Sequence, residues 1–415
     1  MKDSKEAKKS KKIISVKNKK LLISLAAVTA ILIAAGLTYL LRPSKNFTIA
    51  FYRIEEKQRS GITQVITKLA EAKNFSVNFE NYNSEKPLKD QIPLTKKPNI
   101  VITGSGFSVE TAIDKASGKA ALAGDFSQGM TSSMRSAIRQ KDGKIMALPI
   151  LSSHFEVDVD LAEFQSSRTK YINTWNDVEK FMREQKRKKE SPMIFAGGNP
   201  DFFLNLMGAM AESIDGVESY EAAAKIISTT ENPVKAAIKL CDEPDSPLAT
   251  SVKQLKAWYK FGFIHPGTFS MQQNDVEAFA SSRLSSVLFM SLEDHRTCAQ
   301  KTISRYTSIY FPSEHGANAR IFTGKTYYAV PLVKSAKAAQ LIAELVSSES
   351  QEDLSRATGI APVLAQCRTP DKQADDARYW IAATAAPLPG LSNEVYLTKQ
   401  QKSAIAAEIA SRIKN

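Results

Sequence analysis

Apolar residues recur after position 46 at the spacings of strands and helices. Residues 47–53 are rich in β-branched and aromatic side chains and predict a first strand, and residues 76–80 and 98–103 predict two more. Between the first two strands, apolar side chains mark one helix face at the spacing i, i+3, i+4, i+7: Ile62, Val65, Ile66 and Leu69. The order strand, helix, strand, strand is typical of an α/β lobe with a parallel sheet.

The middle of the chain predicts a passage into a second lobe and a later return. Two apolar runs, 145–150 and 155–159, are joined by the polar residues 152–154. The stretch that follows is mostly helical, and residues 174–177 carry the hydroxyl and the carboxylate of a capping box. Strand character returns at 287–290, where we expect the chain to re-enter the first lobe.

Residues 21–41 run for 21 positions without a charge or a proline. A helix of this length spans about 30 Å at about 1.5 Å per residue, which is the hydrocarbon thickness of a bilayer. The lysine-rich segment 1–20 is expected to stay in the cytoplasm, so residues 42–45 become a tether and the rest is periplasmic or extracellular. We therefore predict a single-pass protein of the inner or cytoplasmic membrane with an uncleaved signal-anchor.

A cleavable signal peptide is the main alternative for this segment. Such peptides have a shorter apolar region of about 7–15 residues, but the small residues at 34–36 would suit a cleavage site. A bacterial lipoprotein would need a cysteine just after the apolar stretch, and none follows it. A buried helix of a soluble domain is disfavoured because the lysine-rich segment directly precedes it.

The composition indicates a globular protein whose positive charge is concentrated at one end. The chain has 415 residues, of which 43% are hydrophobic and 24% charged, and this suits two or more domains. The formal net charge is +13, but residues 1–20 hold nine lysines against Asp3 and Glu6 and so carry +7 of it. The remaining charge forms no arginine-rich stripe with interleaved aromatic residues, so no nucleic-acid partner is expected.

The three cysteines are Cys241, Cys298 and Cys367. Their odd number excludes a full disulfide framework. One pair could bridge in an oxidising compartment, and the sequence does not say which. The preferred interpretation is three unpaired, buried thiols that act as small apolar groups.

No catalytic, metal or nucleotide motif is complete in this sequence. His295 and Cys298 have one metal-like spacing, but a second pair of ligands is missing. The glycines at 104–106 and 197–198 lack the lysine and the hydroxyl residue of a P-loop. Neither Gly-x-Ser-x-Gly nor His-Glu-x-x-His occurs. We therefore expect no cofactor, no metal and no enzymatic activity.

Four short phrases occur in order between residues 142 and 362. They are Asp-Gly-Lys-Ile-Met-Ala-Leu-Pro (142–149), Asn-Thr-Trp-Asn-Asp-Val-Glu-Lys-Phe (173–181), Leu-Lys-Ala-Trp-Tyr-Lys-Phe-Gly-Phe-Ile-His-Pro-Gly (255–267) and Ser-Glu-Ser-Gln-Glu-Asp-Leu (348–354), with Gly359 and Pro362 after the last. Each phrase alone is common. Their order and spacing resemble the extracellular solute-binding proteins of ABC importers, in the carbohydrate-type, maltose-binding-like branch, over residues 46–365.

The resemblance implies an α/β fold of two lobes, which is the type II-like periplasmic-binding-protein fold with discontinuous lobes. Residues 46–151 and 287–325 would form the first lobe, and residues 152–286 and 326–415 the second. Ligands of open α/β sheets bind outside the carboxyl ends of the strands. Two such lobes that close at a hinge bury a ligand from both sides.

The resemblance also implies ligand-binding positions at the turns that face the cleft. The candidates are Arg53, Glu55, Ser105, Phe107, His154, Asp201, Phe202, Ser291 and Glu293. Sugar binders commonly carry a small residue and then a tryptophan after the returning strand, whereas this chain has Glu293, Asp294 and His295. The missing tryptophan argues against a simple oligosaccharide, and the additional carboxylates suit a ligand with hydroxyl or amine donors.

The implied function is capture of a small polar solute that is related to carbohydrates, such as a sugar or an oligosaccharide. An ABC transporter permease would receive the solute, and residues 21–41 would hold the protein at the membrane. An alternative stays open: a sensory or scaffolding subunit with the same two lobes that binds a partner protein and takes no part in transport.

Overall fold

The computed structural model describes residues 47–315 and 322–415. The predicted leader (1–20), membrane segment (21–41) and tether (42–45) lie outside the described residues. Within the described part, no helix is long and apolar enough to cross a membrane. Thr48–Asn415 form one unit, which is built around two separate mixed sheets.

The strands are β1 (Phe47–Tyr52), β2 (Val77–Asn81), β3 (Ile100–Gly104), β4 (Arg139–Lys141), β5 (Lys144–Ser152), β6 (Phe155–Asp160), β7 (Met193–Phe195), β8 (Val287–Ser291), β9 (Tyr306–Ile309), β10 (Phe322–Thr323), β11 (Thr326–Pro331) and β12 (Pro387–Leu388). The α-helices that precede β8 are α1 (Glu56–Ala72), α2 (Leu88–Gln91), α3 (Phe107–Lys115), α4 (Ser132–Ala137), α5 (Leu161–Ser166), α6 (Trp175–Gln185), α7 (Pro200–Asp215), α8 (Val217–Thr229), α9 (Pro233–Cys241), α10 (Ala249–Lys260) and α11 (Gln273–Ser281). Seven more follow: α12 (Leu292–Thr297), α13 (Gln300–Ile303), α14 (Ala336–Leu345), α15 (Ser348–Thr358), α16 (Lys372–Ala382), α17 (Leu391–Glu394) and α18 (Lys399–Lys414).

The first sheet has the strand order β2-β1-β3-β11-β5-β4. Strands β1 and β3 pair in parallel, whereas β11 runs antiparallel to both β3 and β5. Helices α14 and α15 pack against α1, and α3 packs on β3. The three strands predicted at 47–53, 76–80 and 98–103 are therefore confirmed, as is the parallel pairing of the first and third.

The second sheet has the order β7-β8-β6-β9. Strand β8 pairs in parallel with β7 and antiparallel with β6. The predicted return to the first lobe at 287–290 is therefore wrong, because β8 is a central strand of the second sheet. Residues 326–330, assigned to the second lobe, lie instead in the first sheet as β11. Both runs are buried on both faces, so their side chains carry no information about which sheet they join.

A large hydrophobic core is built around the second sheet and the helices that pack on it. Trp175 at the start of α6 is buried, and its ring lies 5.1 Å from that of Phe311 and 5.9 Å from that of Trp258. The capping box predicted at 174–177 is confirmed, since Thr174 and Asp177 exchange side-chain and backbone hydrogen bonds. These contacts fix the start of α6 in the core of the second sheet.

The chain passes between the two groups of elements more than once. The first passage is the short link Ser153–His154 between β5 and β6, and the second lies between β9 and β11. A third follows α15, because α18 packs on α9 and α10 of the second group. Repeated passages of this kind make each of the two groups of elements discontinuous in the sequence.

Candidate ligand-binding cleft

A cleft of about 770 Å³ lies where the end of β1, the Ser153–His154 link and the end of β8 meet. Its acidic and basic lining residues are Arg53, Glu55, Glu56, Lys57, Glu85, Asp201, Glu293, Asp294, Lys325, Lys399 and Lys402. The amides in the lining are Asn199, Asn205, Gln272 and Asn393, and the aromatic residues there are Phe155 and Phe202. The cleft therefore presents charges of both signs and many hydrogen-bonding groups from both sheets.

Arg53 follows β1 directly and adopts a positive φ of 54°, which turns its side chain back over the strand end. Three aromatic rings surround its guanidinium, those of Phe107 at 4.8 Å, Tyr52 at 5.6 Å and Tyr396 at 5.6 Å. Nε donates to the Ser84 carbonyl at 3.2 Å and Nη2 to the Leu397 carbonyl at 3.4 Å. Nη1 is buried and meets no acceptor within the described residues. The guanidinium is thus held in place with one donor group unused.

Ser105 and Phe107 do not line the cleft, although both were predicted to bind ligand. The Ser105 hydroxyl accepts from the Thr326 amide at 3.2 Å, and its own amide donates to the Thr326 carbonyl at 2.8 Å. Phe107 packs edge-on against Tyr52 and Tyr396. The turn after β3 is covered by β11, a strand far away in the sequence, so these two residues support the site from behind.

Glu293 lies in the first turn of α12, directly after β8, and is 7% exposed. Its Oε1 accepts from the Tyr327 hydroxyl at 2.9 Å, and its Oε2 accepts from the Ser153 hydroxyl. Burial, and then the Glu293 carboxylate, raise the pKa of Tyr327 well above its usual range. Glu293 therefore connects the second sheet, the first sheet and the link between them at the base of the cleft.

Ser291 begins α12 as its N-cap and lines the cleft beside Glu293. Its hydroxyl donates to Asp294 Oδ2 at 2.7 Å and accepts from the Asp294 amide at 3.2 Å. Burial raises the pKa of Asp294 to about 6, and the hydrogen bond from Ser291 partly opposes this shift. The helix start is fixed by this reciprocal pair, so the Glu293 carboxylate is held in one position.

His154 belongs to the link between the sheets and is 1% exposed. Its ring stacks at 5.8 Å on Tyr310 and lies 5.8 Å from the Trp380 ring. The Trp380 ring therefore packs beside the link. Trp380 itself is not one of the described residues that line the cleft.

Asp201 and Phe202 open α7 on the opposite wall, where Asn199 caps the helix by accepting from both of their amides. Asp201 Oδ1 forms an ion pair with Lys402, whose ammonium is almost wholly buried. Burial lowers the pKa of Lys402, and Asp201 opposes that shift. The Phe202 ring packs 5.6 Å from that of Phe155. This wall thus offers a carboxylate beside an apolar surface.

Several residues that line the cleft were not predicted, and they come from α7, from loops and from the last helix. Lys325 reaches within 3.8 Å of the Glu55 carboxylate, and Lys402 pairs with Asp201. Asn205 Oδ1 accepts from the Ser392 amide at 2.9 Å. These side chains lack any local pattern that would indicate a cleft, and only the third passage of the chain brings Ser392 and Lys402 to it. Of the nine predicted residues, seven line the cleft: Arg53, Glu55, His154, Asp201, Phe202, Ser291 and Glu293.

Comparison with known proteins relates the chain to solved structures only. No family model matches it, and no curated protein matches it. The bacterial solute receptor AcbH, described by its preference for β-D-galactopyranose, has 12% identity and a TM-score of 0.66 over 88% of this chain and 95% of its own. The binding protein MsmE of Bacillus subtilis in an open conformation has 14% identity and a TM-score of 0.64, covering 89% and 93%.

A chitin oligosaccharide binding protein is similar to the same extent, with 16% identity and a TM-score of 0.64 over 89% of this chain and 95% of its own. At such low identities the likeness establishes the fold and not the ligand. The resemblance inferred from the four sequence phrases is thereby confirmed: the chain has the fold of the carbohydrate-type solute-binding proteins.

Proposed function

We propose that the protein captures a small polar solute, related to carbohydrates, between its two lobes and delivers it to an ABC transporter permease. The observation that carries the proposal is the cleft of about 770 Å³, which both sheets line with fixed polar side chains. This volume is in the usual range for small-molecule sites, about 300–1,000 Å³. The solved relatives named above are binding proteins, two of them for sugars, and this supports capture rather than catalysis.

The chemistry of the lining suits a solute that both donates and accepts hydrogen bonds. Arg53 lines the cleft, and its guanidinium would donate to a hydroxyl or carboxyl oxygen of the solute. On the opposite wall, the Asp201 carboxylate would accept from solute hydroxyls or amines. Phe202 supplies an apolar surface in the same wall, as sugar rings require on one face. A monosaccharide, an amino sugar or a short derivative fits this set of groups.

Delivery to a permease requires that the bound and free states differ in shape. The Ser153–His154 link between β5 and β6 is only two residues long, so bending is expected to concentrate there. A solute that contacts Arg53 on one side and Asp201 on the other would bind the closed state more tightly than the open state and would therefore favour closure. In this proposal residues 21–41 keep the receptor near its permease.

The direct test is isothermal titration of the full-length chain, kept in detergent, against a solute panel. The panel holds D-galactose, chitin oligosaccharides, amino sugars, polyols and amino acids. We expect heat at one-to-one stoichiometry from at least one sugar or sugar derivative. Heat only from amino acids would contradict the carbohydrate class, and no heat from any solute would favour the scaffolding alternative.

A further inference from the structure

A second cluster of charged groups lies on the face of β6 opposite its core residues Phe155, Val157 and Val159. Glu156 and Asp158 are two residues apart on β6 and so share that face. His295, on α12, faces them, with Nδ1 at 3.7 Å from Glu156 Oε2 and 3.5 Å from Asp158 Oδ1. Glu156 and Asp158 are 0% exposed and His295 is 4% exposed. Three ligand-type side chains thus converge in a site without solvent.

The carboxylates in this cluster are poorly satisfied by the protein. Glu156 Oε1 and Asp158 Oδ2 are buried and have no hydrogen-bond partner within the described residues. The remaining oxygens contact a neutral group, the Ser308 hydroxyl, at 3.1 Å from Glu156 Oε2 and 2.6 Å from Asp158 Oδ1. In the described part of the chain, no lysine or arginine forms an ion pair with either carboxylate. Buried carboxylates in this state normally coordinate a metal or pair with a cation.

The side-chain amide of Gln373, from α16, lies in the middle of the cluster. Its nitrogen contacts Glu156 Oε2, Ser308 Oγ and His295 Nδ1, the last at 2.6 Å. An amide nitrogen carries two hydrogens and cannot donate to three acceptors at once. The three acceptor atoms therefore need more hydrogen-bond donors, or more positive charge, than one amide group provides.

We propose that Glu156, Asp158 and His295 bind a divalent metal cation of the zinc or manganese type. One ligand atom from each of the three side chains lies within 4.8 Å of the others, which is a separation that a single ion can bridge. Two carboxylates and a neutral imidazole would balance the charge of the ion. Ser308 or a turned Gln373 amide oxygen could complete the coordination.

Such a site would be structural, because it lies behind the cleft and is closed to solvent. The ion would fix α12 on β6, and α12 carries Ser291 as its cap and Glu293 in the lining of the cleft. No metal was predicted from the sequence, because His295 has no second pair of ligands nearby in the chain. The other ligands come from β6, which only the sheet pairing of β6 with β8 brings close. Metal binding by this cluster does not depend on which solute the cleft binds.

A proton is the rival occupant of the cluster. Burial, and then the Asp158 carboxylate, raise the pKa of Glu156 well above its usual range, so a protonated Glu156 could share a hydrogen bond with Asp158. The two cases differ in one measurable respect. Only the metal site binds added zinc with fixed stoichiometry.

The experiment uses the full-length chain in detergent, stripped with EDTA, exchanged into metal-free buffer and titrated calorimetrically with zinc alone and with manganese alone. We expect one equivalent of bound metal and a thermal unfolding midpoint that rises with metal concentration. His295→Gln and Asp158→Asn should each weaken binding at least about tenfold. Cys298→Ser and His315→Gln are matched controls that leave the cluster intact and should bind as the unchanged protein does.

Absence of saturable zinc and manganese binding by the folded, unchanged protein would overturn the proposal in favour of the shared proton. Equal binding by His295→Gln would also overturn it, and loss in Cys298→Ser alone would assign the ion to an adventitious thiol site. Circular dichroism reports whether each variant folds. If the variants do not fold, cobalt(II) titration of the unchanged protein decides: visible bands that saturate at one equivalent support the site, and no saturating band contradicts it.

Discussion

The Tyr327 hydroxyl donates a hydrogen bond to Glu293 Oε1 across 2.9 Å. Tyr327 lies in β11 of the first sheet, and Glu293 lies directly after β8 of the second. The other Glu293 oxygen accepts from Ser153 in the link between the sheets. A single buried carboxylate therefore connects both sheets and the link between them in the lining of the cleft.

Replacing Tyr327 by phenylalanine should destabilise the fold. The change leaves one oxygen of a buried carboxylate without its donor, and such a loss costs about 1–3 kcal/mol. Urea unfolding of the purified protein measures the free-energy difference. Tyr379→Phe is the matched control, because Tyr379 is 70% exposed, and it should change the free energy of unfolding by less than about 0.5 kcal/mol. Equal stability of the two variants would refute the role given to the Glu293–Tyr327 bond.

Replacing Arg53 by lysine should weaken solute binding while leaving the fold intact. A lysine ammonium cannot reproduce the planar guanidinium that three aromatic rings surround in the lining of the cleft. We expect the affinity for the bound sugar to fall at least about tenfold, which is about 1.4 kcal/mol. Arg187→Lys, at an exposed arginine just after α6, is the control and should leave the affinity unchanged. An unaltered affinity in Arg53→Lys would remove Arg53 from the site.

The cysteines should react slowly with alkylating reagents in the folded protein. Cys241, Cys298 and Cys367 are free, which confirms the unpaired state preferred from the sequence. Burial raises the pKa of Cys241 and of Cys298 to about 12 in each case. Because the thiolate is the reactive form, labelling of these two thiols should stay low between pH 7 and 9 and rise sharply in urea. Mass spectrometry of iodoacetamide-treated protein measures the extent of labelling. Fast labelling of the folded protein would contradict the burial of these thiols.

The amino-terminal segment should remain on the mature protein. If residues 21–41 form an anchor, the protein stays with membranes after a high-salt wash and is released by detergent. Amino-terminal sequencing should recover the lysine-rich leader, allowing for removal of Met1. A mature sequence that begins near Leu37 would show instead that the segment is a cleaved signal peptide.

The sequence predicted where strands and helices occur better than it predicted which sheet each strand joins. Strand β1 and the cap at Thr174 have local patterns, and both were found. Strands β8 and β11 are continuous apolar runs, so nothing in them distinguishes one sheet from the other, and their sheets were exchanged in the prediction. The lobe boundaries beyond these strands stay predictions.

The site shows the same division between local and distant signals. Arg53 and Glu293 each follow a strand end, which is where α/β folds place ligands, and both line the cleft. Lys402 lies in a terminal helix without any such signal, and it reaches the cleft only through tertiary packing. Glu156 and Asp158 alternate with valines like residues of a solvent-exposed strand face, yet other elements cover that face completely.

Closure of the lobes around a sugar is the central claim, and a distance between the lobes tests it most directly. Spin labels at Lys89→Cys on α2 and Lys253→Cys on α10, both exposed positions, report that distance in the full-length chain with its native cysteines replaced by serine. We predict that a saturating sugar identified by calorimetry shifts the pulsed electron–electron distance distribution to shorter values. An identical distribution with and without that sugar would contradict the account.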